Sequence, residues 1–426
     1  DGAVVLDMDM DTDDRGSSPA PRHIPGHATI VAVGRRADLR RNHPDLPEWR
    51  ASGTLCPALV NAHAHLELSA LPHPVPGGDG VVNWTRRLMA ELSRQAADQV
   101  PQAALRAAVD AKAFGTAAIG DVGNGTAGWT AMRHAGLEGV FFHELVGSRD
   151  ARTGDALRDA AHQRARVAAA DQPPGVATVP APHAPYSVGP ALLRRIFAAA
   201  AETGHATTIH LAEDLDEVLL LGDGTGAWPA VLRAMGVDPA DRTPRAAPVA
   251  YLETVGAFAA GRRPPLLVHM VHASEDDRRR ARAHGATVVL CPRSNLHIGG
   301  RLPDVAALLK DGVRLALGTD SLASVPTLSL WDELAVLTRG YPEVPPRTWL
   351  HAATQGGAAA LGLEHLGALG PGKRPGLLDV TPADDTDAAT DPERALVTHG
   401  PATVKWAPSI RGSAPAPQST TREVSS

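Results

Sequence analysis

The sequence predicts an α/β fold, a closed (β/α)8 barrel of the TIM type, from two observations on its 426 residues. First, eight apolar segments of β-type composition alternate with helical segments rich in Ala, Leu and Arg, which implies parallel pairing of the strands. Second, a polar residue stands where nearly every one of these segments ends. An open sheet collects its functional residues at one switch point, whereas a barrel collects all eight strand ends around one mouth. This distribution favours the closed barrel.

The predicted strands are spaced so that a helix fits between one strand and the next. They cover residues 55–62, 116–122, 139–146, 177–182, 206–211, 265–271, 286–291 and 312–317. Helical patterns such as 191–202 and 275–284 separate them. Upstream, 1–6 and 28–33 are short predicted strands, joined by an acidic and Ser/Pro-rich loop.

The composition excludes several classes of function. Forty-one basic against 47 acidic residues give a formal net charge of −6, so the chain has no basic field for nucleic acid or an anionic membrane. No segment reaches the ~18 consecutive apolar residues of a membrane span. The first residues do not show the succession of basic, apolar and small residues that is typical of a secretion signal. Two cysteines, Cys56 and Cys291, cannot form a disulfide framework, which favours a reducing compartment. With its 19 histidines, the chain is predicted to be a cytoplasmic enzyme.

The first candidates for metal ligands are His63 and His65, which follow the first predicted strand. Side chains two residues apart on a strand point to the same face, so both imidazoles can reach one ion. Alone, such a pair is more often two ordinary surface or core histidines. Its value rises here because a histidine or a carboxylate ends each of several later strands.

Two further motifs carry candidate catalytic groups at strand ends. His210 ends the fifth strand, and an imidazole there is a good ligand for a borderline divalent metal. Glu213 follows three residues later and can act as a general acid or base; the alternative is a helix-capping Glu after a buried His. Asp320 follows the eighth strand and can be a ligand and proton acceptor; the alternative is an N-cap of the next turn.

Six motifs in chain order carry a resemblance to a known family: PALVNAHAHLELS, PHAPYS, IHLAED, LVHMVH, LCPRSN and LGTDSLAS. Over residues 30–380 the sequence resembles the amidohydrolase superfamily and, within it, the branch of aminohydrolases and chlorohydrolases that act on purine, pyrimidine and triazine rings. The motifs are specific for the superfamily but not for the substrate. The resemblance implies a hydrolase that acts on C–N bonds of cyclic amidines and uses a divalent metal ion to activate water.

The resemblance also implies a role for each motif residue. It implies that the metal ligands are His63, His65, His210 and Asp320. Glu213 is expected to move a proton to the ring, His269 to lie beside the reacting water, and Asp320 to take up a proton from that water. His183 is expected to contact the substrate, and His272 matches the family pattern less well than His269.

The positions of the lysines predict a site with a single metal ion. The two-metal branch of the superfamily bridges its ions with a carboxylated lysine on a barrel strand. The lysines here stand in predicted helices or near the C-terminal end, at Lys112, Lys310, Lys373 and Lys405. We therefore expect one divalent ion, with Zn²⁺ favoured and Fe²⁺ as the alternative, and a small-molecule substrate. The family's usual pairing through helices makes a homodimer the expected assembly.

Two features after the first strand narrow the substrate. The HLELS motif places Glu67 just beyond the histidine pair, and a glycine-rich segment at 76–80 leads to Trp84. This pattern resembles aminodeoxyfutalosine deaminases, which act on a 6-aminopurine nucleoside-like intermediate of menaquinone synthesis. We expect Glu67 to accept hydrogen bonds from ribose hydroxyls or a ring nitrogen, and Trp84 to stack on the base. The alternatives are an ion pair of Glu67 with an arginine and a core position for Trp84 at a helix start.

Other functions stay open at this point. The same branch includes deaminases of adenosine-type thioethers and of guanine, and triazine chlorohydrolases. A non-catalytic scaffold is a candidate from a different class, but the complete set of predicted ligands and proton-transfer residues argues against it. The motifs assign no role to Cys291 or Arg293.

Both chain ends resemble the small β-sandwich that accompanies the barrel in this superfamily. The match predicts the N-terminal part of this sandwich in 1–54, the barrel in 55–365 and the C-terminal part in 366–411. Residues 412–426 are rich in Ser, Thr and Pro and are predicted to be a disordered tail. The sequence begins with Asp1 rather than Met, so we expect a trimmed or processed start and a missing sandwich strand.

Overall fold

The structure is a computed structural model that describes residues 2–7, 28–147, 157–163, 165, 175–384 and 391–407. The predicted acidic loop and the predicted tail at 412–426 lie outside the described residues. In chain order the described strands are β1 (Gly2–Asp7), β2 (Thr29–Arg35), β3 (Thr54–Pro57), β4 (Leu59–Ala64), β5 (Thr116–Gly123), β6 (Glu138–Leu145), β7 (Val176–Pro182), β8 (Thr208–Leu211), β9 (Leu266–His269), β10 (Thr287–Leu290), β11 (Arg314–Leu317), β12 (Leu377–Pro382) and β13 (Pro401–Trp406).

Helices connect most of the strands. They are α1 (Arg36–Asn42), α2 (Val81–Leu92), α3 (Val100–Ala113), α4 (Ala127–Ala135), α5 (Pro190–Ala201), α6 (Leu215–Asp223), α7 (Trp228–Ala234), α8 (Pro248–Thr254), α9 (Glu275–Ala283), α10 (Pro292–Gly299), α11 (Val305–Lys310), α12 (Leu330–Gly340), α13 (Pro346–His351), α14 (Gly357–Leu361) and α15 (Pro392–His399). Their starts follow local sequence rules: Ser274 caps α9 in a capping box with Asp277, and proline occupies the first turn of several others.

The barrel strands form a closed ring. Strands β4 to β7 and β8 to β11 make two parallel four-stranded sheets. At one seam the backbone N–H of His210 donates to the carbonyl of His183 over 3.0 Å. At the other seam the N–H of Thr319 donates to the carbonyl of His63 over 3.0 Å, and Ala64 bridges to the residue after Thr319. The predicted (β/α)8 barrel is confirmed.

The start of the barrel differs from the sequence prediction. The sequence predicts one strand over 55–62, but the structure divides it into β3, which pairs with β12, and β4, which enters the barrel. The break lies at Ala58, whose N–H donates to the carbonyl of Gly376. Pro57 has no N–H with which to continue a ladder, so the chain changes sheets at this point.

Small aliphatic side chains fill the barrel interior in alternation along the strands. Val140 and Phe142 of β6 and Ala181 of β7 belong to one buried cluster. Because residues two apart share a face, the next inward positions at the carboxyl ends are Glu144 on β6 and His183 after β7. The interior therefore changes from apolar filling to polar groups at the level of the mouth.

Residues from both ends of the described chain form two small antiparallel sheets. β1 pairs with β2, and β12 lies between β3 and β13. The N–H of Ile30 donates to the carbonyl of Lys373 over 2.8 Å, which joins β2 to the segment before β12. The use of both ends agrees with the sequence prediction, whereas the sandwich packing and the domain boundaries stay predictions. Among the described helices, none is long and apolar enough to cross a membrane.

Candidate active site

The predicted metal ligands meet at the carboxyl ends of the barrel strands. His63 lies on β4 and His65 directly follows it, His210 lies on β8, and Asp320 follows β11. Nε2 of His65 lies 3.3 Å from Nε2 of His210 and 3.6 Å from Oδ1 of Asp320. All four side chains are buried. Side chains that are far apart in the sequence thus face one small volume.

The backbone is bent where the strand ends aim these groups. Positive φ angles of 50°, 74°, 51° and 63° are found at Ala212, His269, Met270 and Asp320, in a region that residues with a side chain rarely adopt. Such conformations cost about 1–3 kcal/mol each and cluster at functional sites. Apart from Arg245, these are the non-glycine residues with positive φ in the described chain. The fold therefore tolerates local strain at the level of the mouth.

The histidine cluster has the properties of a site for a divalent metal. Both ring nitrogens of His63 are buried without a hydrogen-bond partner, which is costly unless a ligand is bound. Ligand atoms of His63, His65 and Asp320 lie within 4.8 Å of one another, and so do those of His63, His210 and His269. Burial and the neighbouring imidazoles hold the pKa of His63 well below its usual value, so this ring is neutral, as a metal ligand must be. Nitrogen and carboxylate donors at this spacing fit Zn²⁺.

Hydrogen bonds behind the cluster orient its ligands. Nδ1 of His210 lies 2.8 Å from the carbonyl oxygen of His183, so Nδ1 carries the proton and Nε2 is left to bind a metal. Oδ1 of Asn61 accepts from the N–H groups of His63, over 3.3 Å, and Thr319, over 3.2 Å. This amide ties the end of β4 to the segment after β11, and so fixes His63 relative to Asp320.

Two serines hold the carboxylate of Asp320. The hydroxyl of Ser294 donates to Oδ2, and the hydroxyl of Ser324 lies 3.4 Å from the same oxygen. Oδ1 is left to face His65. Burial raises the pKa of Asp320 above its usual value, which suits a carboxylate that accepts a proton during a reaction.

Glu213 and His269 form a pair suited to proton transfer next to the ligands. Oε1 of Glu213 lies 3.6 Å from Nε2 of His269. Burial raises the pKa of Glu213 well above its usual value, and the charge of Asp320 raises it further, which favours the protonated form that can donate. Burial lowers the pKa of His269, so its ring is neutral. Nδ2 of Asn295 lies 2.9 Å from Nδ1 of that ring.

Sequence reasoning missed the roles of the residues after β10. Helix α10 begins directly after this strand and so places Ser294 and Asn295 against Asp320 and His269. The preceding Arg293 instead pairs with two carboxylates of α12, over 2.7 and 2.8 Å. The run RSN after a strand end was a signal, but only closure of the ring shows which partner each side chain meets.

The carboxylate of Glu67 contacts backbone amides. Its Oε2 accepts from the N–H of Gly125 and its Oε1 from the N–H of Ala127, each over 2.9 Å. These groups lie at the start of α4. Among the described residues, Glu67 has neither an arginine partner nor an oxygen without a hydrogen bond. Its predicted role in substrate binding stays a prediction.

Trp84 and His183, the other predicted substrate contacts, lie in different surroundings. Trp84 is 8% exposed and belongs to an apolar cluster with Tyr186 and Trp228, which is the packing expected from its alternative interpretation as a core residue. His183 lies with its ring centre 4.9 Å from that of His210, and its Nδ1 lies 2.6 Å from the hydroxyl of Ser187. His183 thus borders the histidine cluster, and substrate contact by either residue stays a prediction.

Comparison with known proteins agrees with this geometry. The model of the amidohydrolase family matches residues 54–400. The aminodeoxyfutalosine deaminase of Deinococcus radiodurans is 31% identical over 353 residues, which cover 78% of this chain and 79% of that protein. A 5-methylthioadenosine/S-adenosylhomocysteine deaminase of Pelotomaculum thermopropionicum is 32% identical over 225 residues, which cover 51% of this chain and 46% of that protein.

Solved structures share the fold. The aminofutalosine deaminase of Helicobacter pylori in complex with methylthio-coformycin aligns with a TM-score of 0.74 at 21% identity, over 89% of this chain and 90% of that chain. An adenosine deaminase of Xanthomonas campestris with bound zinc aligns with a TM-score of 0.64 at 24% identity, over 88% of this chain and 83% of that chain. The family model covers the barrel and its ligand cluster in full. The chain therefore belongs to the amidohydrolase family and is a hydrolase that acts on carbon–nitrogen bonds.

Proposed function

We propose that this chain is a metal-dependent hydrolytic deaminase, which replaces the exocyclic amine of a 6-aminopurine nucleoside with oxygen. The observation that carries the proposal is the pair of Glu213 and His269, with Oε1 3.6 Å from Nε2, beside the histidine cluster. A buried and protonated carboxylic acid is the group needed to donate to a ring nitrogen. The relatives named as aminodeoxyfutalosine deaminase and as 5-methylthioadenosine/S-adenosylhomocysteine deaminase support the substrate class.

The metal would be held by the four ligands inferred from the sequence, His63, His65, His210 and Asp320. A divalent ion there would lower the pKa of water from 15.7 toward ~7 and so supply a nucleophile at neutral pH. The hydrogen bonds of Asn61 and His183 to this cluster hold the ligand side chains in place before the ion arrives.

The chain's own residues would move the protons. Asp320 takes a proton from the attacking water while His269 orients that water toward the ring carbon. Glu213 gives its proton to the adjacent ring nitrogen, and the water oxygen becomes bonded to the carbon. Asp320 then returns its proton to the exocyclic amine, and the C–N bond breaks to release ammonia. Glu213 recovers a proton from the new hydroxyl group as the 6-oxo ring forms.

Within this class we propose 6-aminodeoxyfutalosine or a closely related nucleoside as the substrate, which would place the enzyme in menaquinone biosynthesis. The Deinococcus radiodurans relative supports this choice because its match spans most of both chains. A triazine chlorohydrolase is the weaker alternative, since the atrazine chlorohydrolase of Arthrobacter aurescens is only 19% identical and shares the fold alone. Zinc as the metal, a homodimer and a cytoplasmic location are kept as predictions.

The test is an ultraviolet assay with zinc-loaded protein and a small panel of adenosine, 5′-methylthioadenosine, aminodeoxyfutalosine and guanine. We expect the spectrum of a 6-aminopurine nucleoside to change to that of the 6-oxo form with release of one ammonia per ring. Protein that contains a full equivalent of metal but changes none of the nucleosides would overturn the proposal. Turnover of guanine alone would assign the chain to the alternative deaminase.

A further inference from the structure

We propose that Glu144 recognises the sugar of the nucleoside by accepting a hydrogen bond from one of its hydroxyl groups. This inference rests on the proposed function and adds a specificity-determining residue to it. Glu144 is absent from the sequence prediction, which places the contact with ribose hydroxyls on Glu67. One oxygen of its carboxylate has no hydrogen-bond partner among the described residues.

Glu144 lies near the carboxyl end of β6, on the inward face that Val140 and Phe142 occupy deeper in the barrel. Only 7% of the surface of Glu144 is exposed to solvent. The amide nitrogen of Asn124, just after β5, donates to Oε2 over 3.2 Å and to the backbone carbonyl of Glu144 over 3.1 Å. The carboxylate is therefore anchored on one side, with its other oxygen turned away from the anchor.

That second oxygen, Oε1, is buried and has no hydrogen-bond partner. Across the barrel, Nδ1 of His210 lies 3.8 Å away, and this nitrogen already bonds the carbonyl of His183. Nδ1 of His183 is engaged by Ser187. No lysine or arginine within the described ranges forms an ion pair with Glu144. An unpaired buried acceptor of this kind is costly, so a bound ligand is the expected source of the missing donor.

The position of Glu144 favours the sugar over the reacting edge of the base. Glu213, which would face the ring nitrogen, lies after β8 and contacts His269 on β9. Glu144 lies on the other side of His210, at the end of β6. With the ring nitrogen held near Glu213, the sugar of the purine would extend toward Glu144. A sugar hydroxyl supplies the donor, whereas a phosphate group on the sugar would bring like charge, so unphosphorylated nucleosides are favoured over nucleotides.

Glu67 provides a matched comparison, because it is also a carboxylate at the mouth. Both of its oxygens accept from backbone N–H groups, those of Gly125 and Ala127. Each of its oxygens is thus already held by a backbone donor, whereas Oε1 of Glu144 has no donor among the described residues. The proposal therefore predicts opposite effects when Glu144 and Glu67 are substituted in the same experiment.

The experiment compares adenosine with 2′,3′-dideoxyadenosine as substrates for the wild type, Glu144→Gln and Glu67→Gln, all zinc-loaded and with metal content measured. We expect the wild type to lose about 10- to 100-fold in kcat/KM when the hydroxyls are removed, as for one hydrogen bond to a charged group. Glu144→Gln should keep its metal, lose kcat/KM on adenosine and show a clearly smaller ratio between the two substrates than the wild type, because a neutral amide oxygen is a weaker acceptor than a carboxylate. Glu67→Gln should keep the wild-type ratio.

Several outcomes would overturn the inference. These are a wild-type ratio close to one, an unchanged ratio in Glu144→Gln, or a ratio that collapses in Glu67→Gln instead. Because each ratio is measured on one protein sample, a partly inactive preparation does not change it. Should Glu144→Gln fail to fold, Asn124→Ala, which removes the anchor of the carboxylate, should lower the same ratio, and an unchanged ratio there has the same meaning. A wild type that deaminates no nucleoside at all would refute the proposed function, and this inference with it.

Discussion

Asn295 holds the ring of His269 through a contact of 2.9 Å between its side-chain Nδ2 and Nδ1 of the imidazole. With this amide nitrogen as the donor, Nδ1 is the acceptor, and the neutral ring then carries its proton on Nε2. Nε2 is the atom that faces Oε1 of Glu213. The side chain of Asn295, on a helix that carries no predicted catalytic residue, therefore sets which edge of the His269 ring faces Glu213.

The first prediction concerns this contact. Asn295→Asp replaces the donor with an acceptor, so the ring of His269 must turn its proton toward the new carboxylate. We expect kcat to fall about 10- to 100-fold, as is typical when the partner of a functional histidine is lost, with bound zinc unchanged. Steady-state kinetics and metal analysis check this, with Asn42→Ala, an exposed change on α1, as the control. An unaltered kcat would show that Asn295 does not act through His269.

The second prediction separates acid catalysis from metal binding. Glu213→Gln cannot donate the proton that the ring nitrogen needs, so kcat should fall by about 10²- to 10⁴-fold, while zinc content stays near that of the wild type. Asp320→Asn should lose turnover to a similar extent and lose zinc as well, because Asp320 lies 3.6 Å from His65 within the cluster. Glu343→Gln, at an exposed position, is the control. Near-normal turnover by purified Glu213→Gln would remove Glu213 from the mechanism.

The parts of this site that were predictable from the sequence are those fixed by local geometry. The two-residue spacing of His63 and His65 makes their side chains point to the same face of a strand, independently of the rest of the fold. His210 and Asp320 could be found because each lies at or just after the end of an apolar segment. The same logic located the eight barrel strands within a few residues.

What could not be predicted depends on contacts that close the ring. Glu144 and His210 are not neighbours in sequence, and their approach follows from the curvature of the two sheets. The division of the first predicted strand depends on pairing of β3 with β12, more than 300 residues later. Glu67 is a similar case, since its pattern indicated a free carboxylate and only the position of α4 shows which backbone amides it meets.

The third prediction is that metal contributes to stability. His63 keeps both ring nitrogens buried without a partner, so the metal-free protein carries an uncompensated desolvation cost. Treatment with a chelator should lower the Tm, and zinc should restore it at about one equivalent per chain, since binding to the folded state stabilises it by mass action. His63→Ala should abolish the zinc response, whereas His73→Ala, at an exposed position, should keep it. A Tm that is insensitive to chelator and to zinc would contradict a metal site at this cluster.

The fourth prediction is a pH dependence of stability that arises at Glu217. This carboxyl is fully buried, accepts from the N–H groups of Ala212 and Glu213, and has its pKa raised by burial from 4.5 to about 8. The folded state binds its proton more tightly than the unfolded state, so this contribution to stability is full below pH 4.5 and is lost as the pH rises through about 8.

Urea unfolding of zinc-loaded protein at pH 5 and pH 9 should therefore show the wild type losing free energy of unfolding relative to Glu217→Gln as the pH rises. The exposed Glu202→Gln should track the wild type at both values. A constant difference between the wild type and Glu217→Gln across this window would show that Glu217 does not keep its proton in the folded protein.

The last prediction tests the packing behind His63, the first proposed metal ligand. A Cβ placed on Gly318 would lie 2.7 Å from both Cβ and the carbonyl oxygen of His63, and 3.1 Å from Sγ of Cys291. These atoms are backbone or buried side chain, so Gly318→Ala must displace β4 and move His63. We expect zinc affinity to fall by at least ~10-fold and the free energy of unfolding to drop by about 1–3 kcal/mol. The control is Gly222→Ala on α6, whose Cβ would meet no atom within 4 Å. This variant should bind zinc normally, and its free energy of unfolding should rise by roughly 0.5–1 kcal/mol because alanine favours a helix more than glycine does. Equal zinc affinity of the two variants, measured by competition with a chromophoric chelator, would show that the position of His63 does not depend on this close approach.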